Sequence, residues 1–290
     1  MSDKSAIEWT DATWNPVTGC SKVSPGCANC YAETLSLRFG WSKKPWTPVN
    51  AVENVVLHPE RLDQPFRWRE PRMVFVNSMS DLFHELVPDW FVEQVWDRMA
   101  TARRHTFQVL TKRPERMRDF AQRANRNPLP NVWLGTSIEN DRWVGRADAL
   151  RDAPAAVRFI SAEPLLGPLP SLELTGIDWL IAGGESGIDH RPVDADWLRQ
   201  LRDASVAVGT AFFFKQWGGR TPKSGGRELD GRTWNEMPLR LLPEAALPAL
   251  VNVHRLAPEV DPYRVLREGD QLVHERAPRV ADRHPVRVRA

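Results

Sequence analysis

The stretch "MVFVNSMSD" at residues 73–81 joins four consecutive apolar residues to a polar cluster. Apolar residues without alternation describe a strand covered on both faces, as in a parallel sheet, and the polar cluster marks its end. The pattern recurs in "TFQVLTKRP" (106–114), "NVWLGTSIEN" (131–140), "RFISAEPLLG" (158–167), "WLIAGGESG" (179–187) and "AFFFKQWGG" (211–219). Helical periodicity fills several of the intervals. "DWFVEQVWDRMATARR" (89–104) sets Phe91, Val95, Met99 and Ala102 on one face, and "DADWLRQLRDASVAV" (194–208) does so with Leu198, Leu201 and Val208. Upstream, "DATWNPVTG" supplies a first strand and "CYAETLSLRFG" a helix ending at Gly40. About seven βα-like units predict an α/β class fold, a (β/α) barrel of TIM type, complete or partly open, rather than a doubly wound sheet. Between 131 and 183 the spacing leaves room only for helices of a turn or two.

The predicted barrel occupies residues 1–217, with a cysteine loop at 19–31 and an arm or lid at 41–72 that holds five prolines. Residues 218–243 follow as a small C-terminal hairpin. Its "LDG" turn signal sits among Arg220, Lys223, Arg227 and Arg232, which outnumber Glu228 and Asp230. Residues 244–290, rich in Arg and Pro, are expected to form a flexible tail; the last fifteen carry five Arg against one Asp.

Bulk charge does not name a partner. Thirty-nine basic and thirty-seven acidic residues leave a formal net charge of +2. Thirteen tryptophans against two tyrosines are expected mainly in the core, with exposed ones suited to stacking on bases. The opening "MSDKSAIEWTDATWNP" lacks a basic stretch followed by an apolar run, and no apolar run is long enough to span a bilayer, so the expectation is a cytoplasmic protein without a membrane partner.

All three cysteines, Cys20, Cys27 and Cys30, fall in "GCSKVSPGCANCYAE" (19–33). An odd count in a chain long enough to bury its own core argues against a disulfide framework. Three readings remain. A zinc site would need a distant fourth ligand such as His58 or His84. A redox pair in "CANC" would leave Cys20 idle. A [4Fe–4S] cluster on three thiolates would keep one iron open for a small-molecule ligand. The loop's place after a first strand, at the barrel end where active sites gather, favours the third.

Together, "WNPVTGCSKVSPGCANCYA", "FVNSMSDLFH", "LTKRP", "NVWLGTSIEN", "RFISAEPLLGP", "WLIAGGESG" and "FFFKQWGG" resemble a phage-associated three-cysteine-motif family grouped with radical S-adenosylmethionine (SAM) proteins, near spore photoproduct lyase. The resemblance implies a TIM-like barrel and a [4Fe–4S] cluster on Cys20, Cys27 and Cys30 whose open iron chelates SAM. It also implies reductive cleavage to a 5′-deoxyadenosyl radical that abstracts hydrogen from a substrate. An external electron donor such as flavodoxin or ferredoxin would be required. The loop departs from the usual C-x3-C-x2-C spacing by six residues in its first gap and by Asn29 in the place of an aromatic; Tyr31 could take that role or equally anchor the following helix. With every thiol committed to iron, none remains to return a hydrogen atom, leaving deoxyadenosine, Tyr31 or an external donor.

Residues just past parallel strand ends line one mouth of such a barrel. The resemblance assigns Ser78, Ser80 and Asp81 to the ammonium group of SAM; the alternative for Asp81 is to cap a helix opening at "DLFHEL". Lys112 and Arg113 offer positive charge to a carboxylate or phosphate, with a solvated loop pair as the alternative. Ser137 and Glu139 fall where the superfamily contacts ribose, and a carboxylate can bridge adjacent hydroxyls. Glu163 lies between a strand and a proline turn, as a cofactor contact or an ion-pair partner. Gly184 and Glu185 permit close approach of a ligand, or simply serve a tight turn. Lys215, Gln216 and Trp217 close the last strand and would hold substrate, unless Trp217 plugs the barrel. The "TKRP" cluster, the hairpin, the arginine tail and the family's phage setting point to a nucleic acid or nucleotide substrate, modified or repaired. The competing class is a zinc- or cluster-stabilised nucleic-acid-binding protein without catalysis.

Overall fold

The computed structural model describes residues 5–123 and 127–238. The tail expected at 244–290, and the last residues of the 218–243 range, lie outside them. In chain order the first half holds β1 (Ala12–Trp14), β2 (Val17–Thr18), α1 (Tyr31–Arg38), α2 (Ala51–Asn54), β3 (Val56–Leu57), β4 (Met73–Val76), α3 (Asp89–Thr101), β5 (Thr106–Thr111) and α4 (Pro114–Arg123). The second half holds β6 (Val132–Ser137), α5 (Arg146–Asp152), β7 (Val157–Ala162), β8 (Trp179–Gly183), α6 (Ala195–Val208), β9 (Ala211–Gln216), β10 (Glu228–Leu229) and β11 (Arg232–Thr233).

Seven strands form one parallel sheet in the order β1-β4-β5-β6-β7-β8-β9. A doubly wound sheet would reverse its strand order at a switch point. Here the order follows the chain, as in a barrel, and the sheet is a curled half-barrel: β1 and β9 are its two edges, so closure does not occur. Residues 234–236 run beside β9, with the Phe214 N–H donating to the Trp234 carbonyl and the Glu236 N–H to the Phe212 carbonyl.

Alternation along each strand separates two cores. Val74, Val76, Phe107, Val109, Leu134, Ile160, Leu180 and Phe212 face the outer layer, where α3 contributes Phe91, Val95 and Met99, and α6 contributes Leu198 and Leu201. On the inner face, Trp9, Phe75, Trp133, Phe159, Trp179 and Phe213 pack as an aromatic plug. Trp179 stands at its centre, with ring centroids 5.7–6.1 Å from Trp9, Trp133, Phe159 and Phe213. This plug fills the amino-terminal end, so the inner residues at the opposite end, Ser137, Ser161 and Lys215, approach the mouth.

Three expectations need correcting. Val208 is 56% exposed, because α6 turns its last residues away from the sheet. Residues 41–72 are not only an arm: Leu62 and Trp68 are buried in the main core. No helix opens at Asp81. Residues 81–87 form turns before α3, since Pro88 follows too closely for a helix to establish itself. Between β10 and β11, Asp230 and Gly231 both take positive φ, 55° and 74°, as a two-residue hairpin turn requires. No helix among the described residues is long and apolar enough to cross a membrane.

Candidate functional site

The three thiols line a single cavity of about 150 Å³ at the carboxyl ends of the strands, and all three are free. Ser78, Ser80, Asp81, Lys112, Arg113 and Ser137 share its wall. Phe75 and Leu110, from the inner face of the sheet, also border it and give it an apolar side. Nine of the residues expected at the site are thus brought together from four separate stretches of chain.

The cysteine loop is stitched to the sheet at several points. The Ser24 hydroxyl donates to Glu139, whose other oxygen accepts from Arg146 Nη1 at 3.1 Å. Lys112 Nζ lies 3.7 Å from Glu139 Oε1. Glu139 has no exposed surface, and a Cβ on Gly26 would stand 2.5 Å from its Cγ, so loop and carboxylate are in close contact. Glu139 therefore sits under the loop rather than at its open face.

Glu185 makes a second tie. It is buried and accepts from the Arg191 backbone N–H at 2.9 Å, from Arg191 Nε at 2.8 Å and from Asn29 Nδ2 at 3.0 Å, with a further short contact from Arg191 Nη2. Burial alone would raise its pKa, but these donors hold it below the ordinary carboxylate value. Arg191 Nη2 also donates to the Pro25 carbonyl. Asn29, in the place expected for an aromatic, thus joins the loop to the end of β8.

Asp81 and Arg113 form the third tie. Asp81 Oδ1 accepts from Thr111 Oγ1 at 2.7 Å and from the Phe83 N–H at 2.9 Å; Oδ2 accepts from the Lys112 N–H and from Arg113 Nη1, both at 3.1 Å. Arg113 also reaches Glu85 at 2.8 Å, Ser21 Oγ at 3.1 Å and Cys20 Sγ at 3.7 Å. Burial opposes its charge, but Asp81, Glu85 and Cys20 outweigh that effect and hold its pKa above the ordinary value. The Arg113 guanidinium is therefore a fixed cation beside a thiol.

Burial pushes the Cys20 thiol up to about 12, with Asp81 adding to it and Arg113 opposing. Cys30, the residue preceding α1, is raised by burial and lowered by the backbone N–H groups of Glu33 and Ala32. Tyr31 donates its hydroxyl to the Ser78 carbonyl at 2.6 Å while its ring stays half exposed at the cavity. Ser80 Oγ donates to the Val17 carbonyl and Ser78 Oγ to Asn15.

The remaining expected residues are not part of the wall of the thiol cavity. Glu163 pairs with Lys215 at 3.0 Å and accepts from Ser161, on the inner face of the sheet. Gln216 is buried and donates to the Gly184 carbonyl and Ser186. Trp217 packs edge-on against Phe214 at 5.1 Å and donates to the Glu228 carbonyl, holding the hairpin rather than plugging the half-barrel. A Cβ on Gly184 would lie 2.0 Å from the Trp217 carbonyl oxygen. Its missing side chain serves this backbone approach. Gly184→Ala is therefore expected to destabilise the fold by about 1–3 kcal/mol, read as a lower urea midpoint with unchanged slope.

Among the described residues no set of three or more His, Cys, Asp or Glu converges closely enough for a single metal ion. His58 is engaged with Thr18 Oγ1 at 2.8 Å and Glu60 at 3.0 Å. At His84, Nδ1 accepts from the Leu86 N–H, so Nε2 carries the proton and donates to Ser21 Oγ at 2.8 Å. Neither histidine completes a zinc site. Three thiols on one cavity, with a fixed cation alongside, are compatible with the three-thiolate cluster suggested for them.

Asn77 was not singled out in the sequence. It is buried at φ 59° on the cavity wall, and its Nδ2 has no hydrogen-bond partner. An orphaned amide at a cavity is a donor in need of an acceptor. Ser24, Arg146 and Arg191 were also missed, because their partners are distant in the chain.

No curated protein matches this chain. Among solved structures, a spore photoproduct lyase mutant is similar at 14% identity and TM-score 0.40, covering 70% of this chain and 63% of its own. Spore photoproduct lyase complexed with dinucleoside spore photoproduct is similar at 14% identity and TM-score 0.34, covering 65% and 58%. A mutant of the lyase with bound AdoMet and dinucleoside spore photoproduct gives 14% and 0.37, covering 66% and 60%. The chain thus spans less than two thirds of the length of these lyases. Residues 4–238 match the model of the family described as "Protein of unknown function (DUF5131)", and the chain belongs to that family.

Proposed function

We propose that the protein is a radical SAM-type enzyme, with Cys20, Cys27 and Cys30 holding a [4Fe–4S] cluster and a nucleotide or nucleic acid as its substrate. The observation that carries this reading is the gathering of three free thiols on one cavity at the carboxyl end of a parallel half-barrel. When bound, the cluster and SAM supply one-electron reductive cleavage and a hydrogen-abstracting adenosyl group, with the electron drawn from an external carrier of the flavodoxin or ferredoxin class.

The chain's own residues supply the rest. Arg113 sets a permanent positive charge 3.7 Å from Cys20 and so offsets the charge of a thiolate. Asn77 offers its unpaired Nδ2 to an oxygen acceptor such as a carboxylate. Phe75 and Leu110 keep water from the inner side of the cavity. Glu139, Glu185 and Asp81 position the loop and are positioning residues in this reading.

Anaerobic reconstitution tests it: about four irons per chain with matching sulfide, and a change in the electron paramagnetic resonance spectrum on adding SAM, are expected. One zinc and no iron would replace the enzyme with a metal-stabilised binding protein.

A further inference from the structure

We propose that the surface running from Tyr31 along α1 to Trp41 is a platform for single-stranded nucleic acid, whose bases stack on Phe39 and Trp41. This rests on the nucleotide reading above and adds the surface that would hold the neighbouring nucleotides. Phe39 and Trp41 are 57% and 66% exposed, and their rings stack with centroids 5.1 Å apart and planes 29° from parallel. Large rings paired with each other in solvent, rather than buried, present flat faces to a partner.

The partner's chemistry follows from the flanking charge. Arg38 lies over the Phe39 ring at 5.7 Å, and neither Arg38 nor Lys43 has an ion pair among the described residues. The two carboxylates of residues 31–54 are already taken: buried Glu33 pairs with Lys22, and Glu53 pairs with Lys44. Cations beside stacked rings match a polyanion carrying π-faces, and ring stacking requires bases that are not paired in a duplex. The basic hairpin is less available. Arg227 lies over Phe213 and bonds Asn235, while Arg232 lies 3.8 Å from the Trp234 centroid.

The platform is rigid and reaches the thiol cavity. The N–H groups of Trp41 and Ser42 both donate to the Ser36 carbonyl, at 2.8 and 3.1 Å. Trp46 donates its indole N–H to Ser42 Oγ at 3.0 Å and itself forms part of the cavity wall. At the other end of α1, Tyr31 borders the same cavity, and a helix of this length spans about 12 Å, within the reach of a few nucleotides.

Fluorescence anisotropy of a short mixed-sequence single-stranded oligonucleotide, titrated with the full chain in the absence of iron and SAM, tests the proposal. The Phe39→Ala/Trp41→Ala double variant is expected to bind about tenfold or more weakly, and Trp41→Phe to keep most of the affinity. Arg38→Ala is expected to reduce the salt slope by about one. Trp90→Ala, which removes an exposed indole on α3, serves as the control and leaves binding unchanged. Absence of binding by the wild-type chain, equal binding by the double variant, or a change in its association state by light scattering would overturn the platform. Loss of iron loading with binding intact would instead sink the radical reading alone.

Discussion

Replacing any one of Cys20, Cys27 or Cys30 with Ala is expected to take anaerobically reconstituted protein from about four irons per chain to well under one, with no loss of folded structure. The reason lies in how the loop is held. Ser24, Asn29 and Tyr31 fasten it to Glu139, Glu185 and the Ser78 carbonyl, and none of these bonds uses a thiol. Under the cluster reading, removing one sulfur therefore removes a ligand and leaves the scaffold. Iron and sulfide assays beside far-ultraviolet circular dichroism separate the two effects. Full iron content in any one of the three variants would show that the corresponding sulfur is not a ligand, and full content in all three would end the cluster reading.

The second large effect falls on stability. Glu139→Ala is expected to cost about 3–5 kcal/mol, because it leaves the Arg146 guanidinium buried without its carboxylate. Burial pushes the pKa of Arg146 down against the pull of Glu139, so the charge there depends on its partner. Arg146 also stacks over Trp143 at 4.2 Å, a place a methionine side chain can occupy. Glu139→Ala/Arg146→Met is accordingly expected to recover part of the loss. Urea unfolding measures both. If the single variant fell within about 0.5 kcal/mol of the wild type, the buried pair would not be what secures the loop.

The sheet was legible because parallel strands covered on both sides read as unbroken apolar runs. Met73–Val76 and Trp179–Gly183 are buried at every position. The number of strands followed from counting them, but openness did not: pairing between first and last strands leaves no mark in either segment. Asp81 illustrates a different limit. Its neighbourhood has helical composition, yet its carboxylate is occupied by Thr111, Lys112 and Arg113, thirty residues downstream. The cysteine spacing announced a site, whereas the supports of that site join residues as far apart as 115 and 156 positions. A single sequence carries the donors and acceptors without saying which will meet. Asn77 is the sharpest case, since an unpaired amide becomes visible only when every neighbour has been placed.

The fastening of the 19–33 segment has a consequence for assembly order. Small zinc-dependent modules acquire their shape and their metal in one event, because nothing else holds the ligands in place. In this chain the loop is fastened by buried acids and arginines rather than by its thiols, so under the proposed reading cluster loading would be a late step on a finished scaffold. Chelators should then strip its contents without collapsing the container, and the emptied protein should accept a fresh charge.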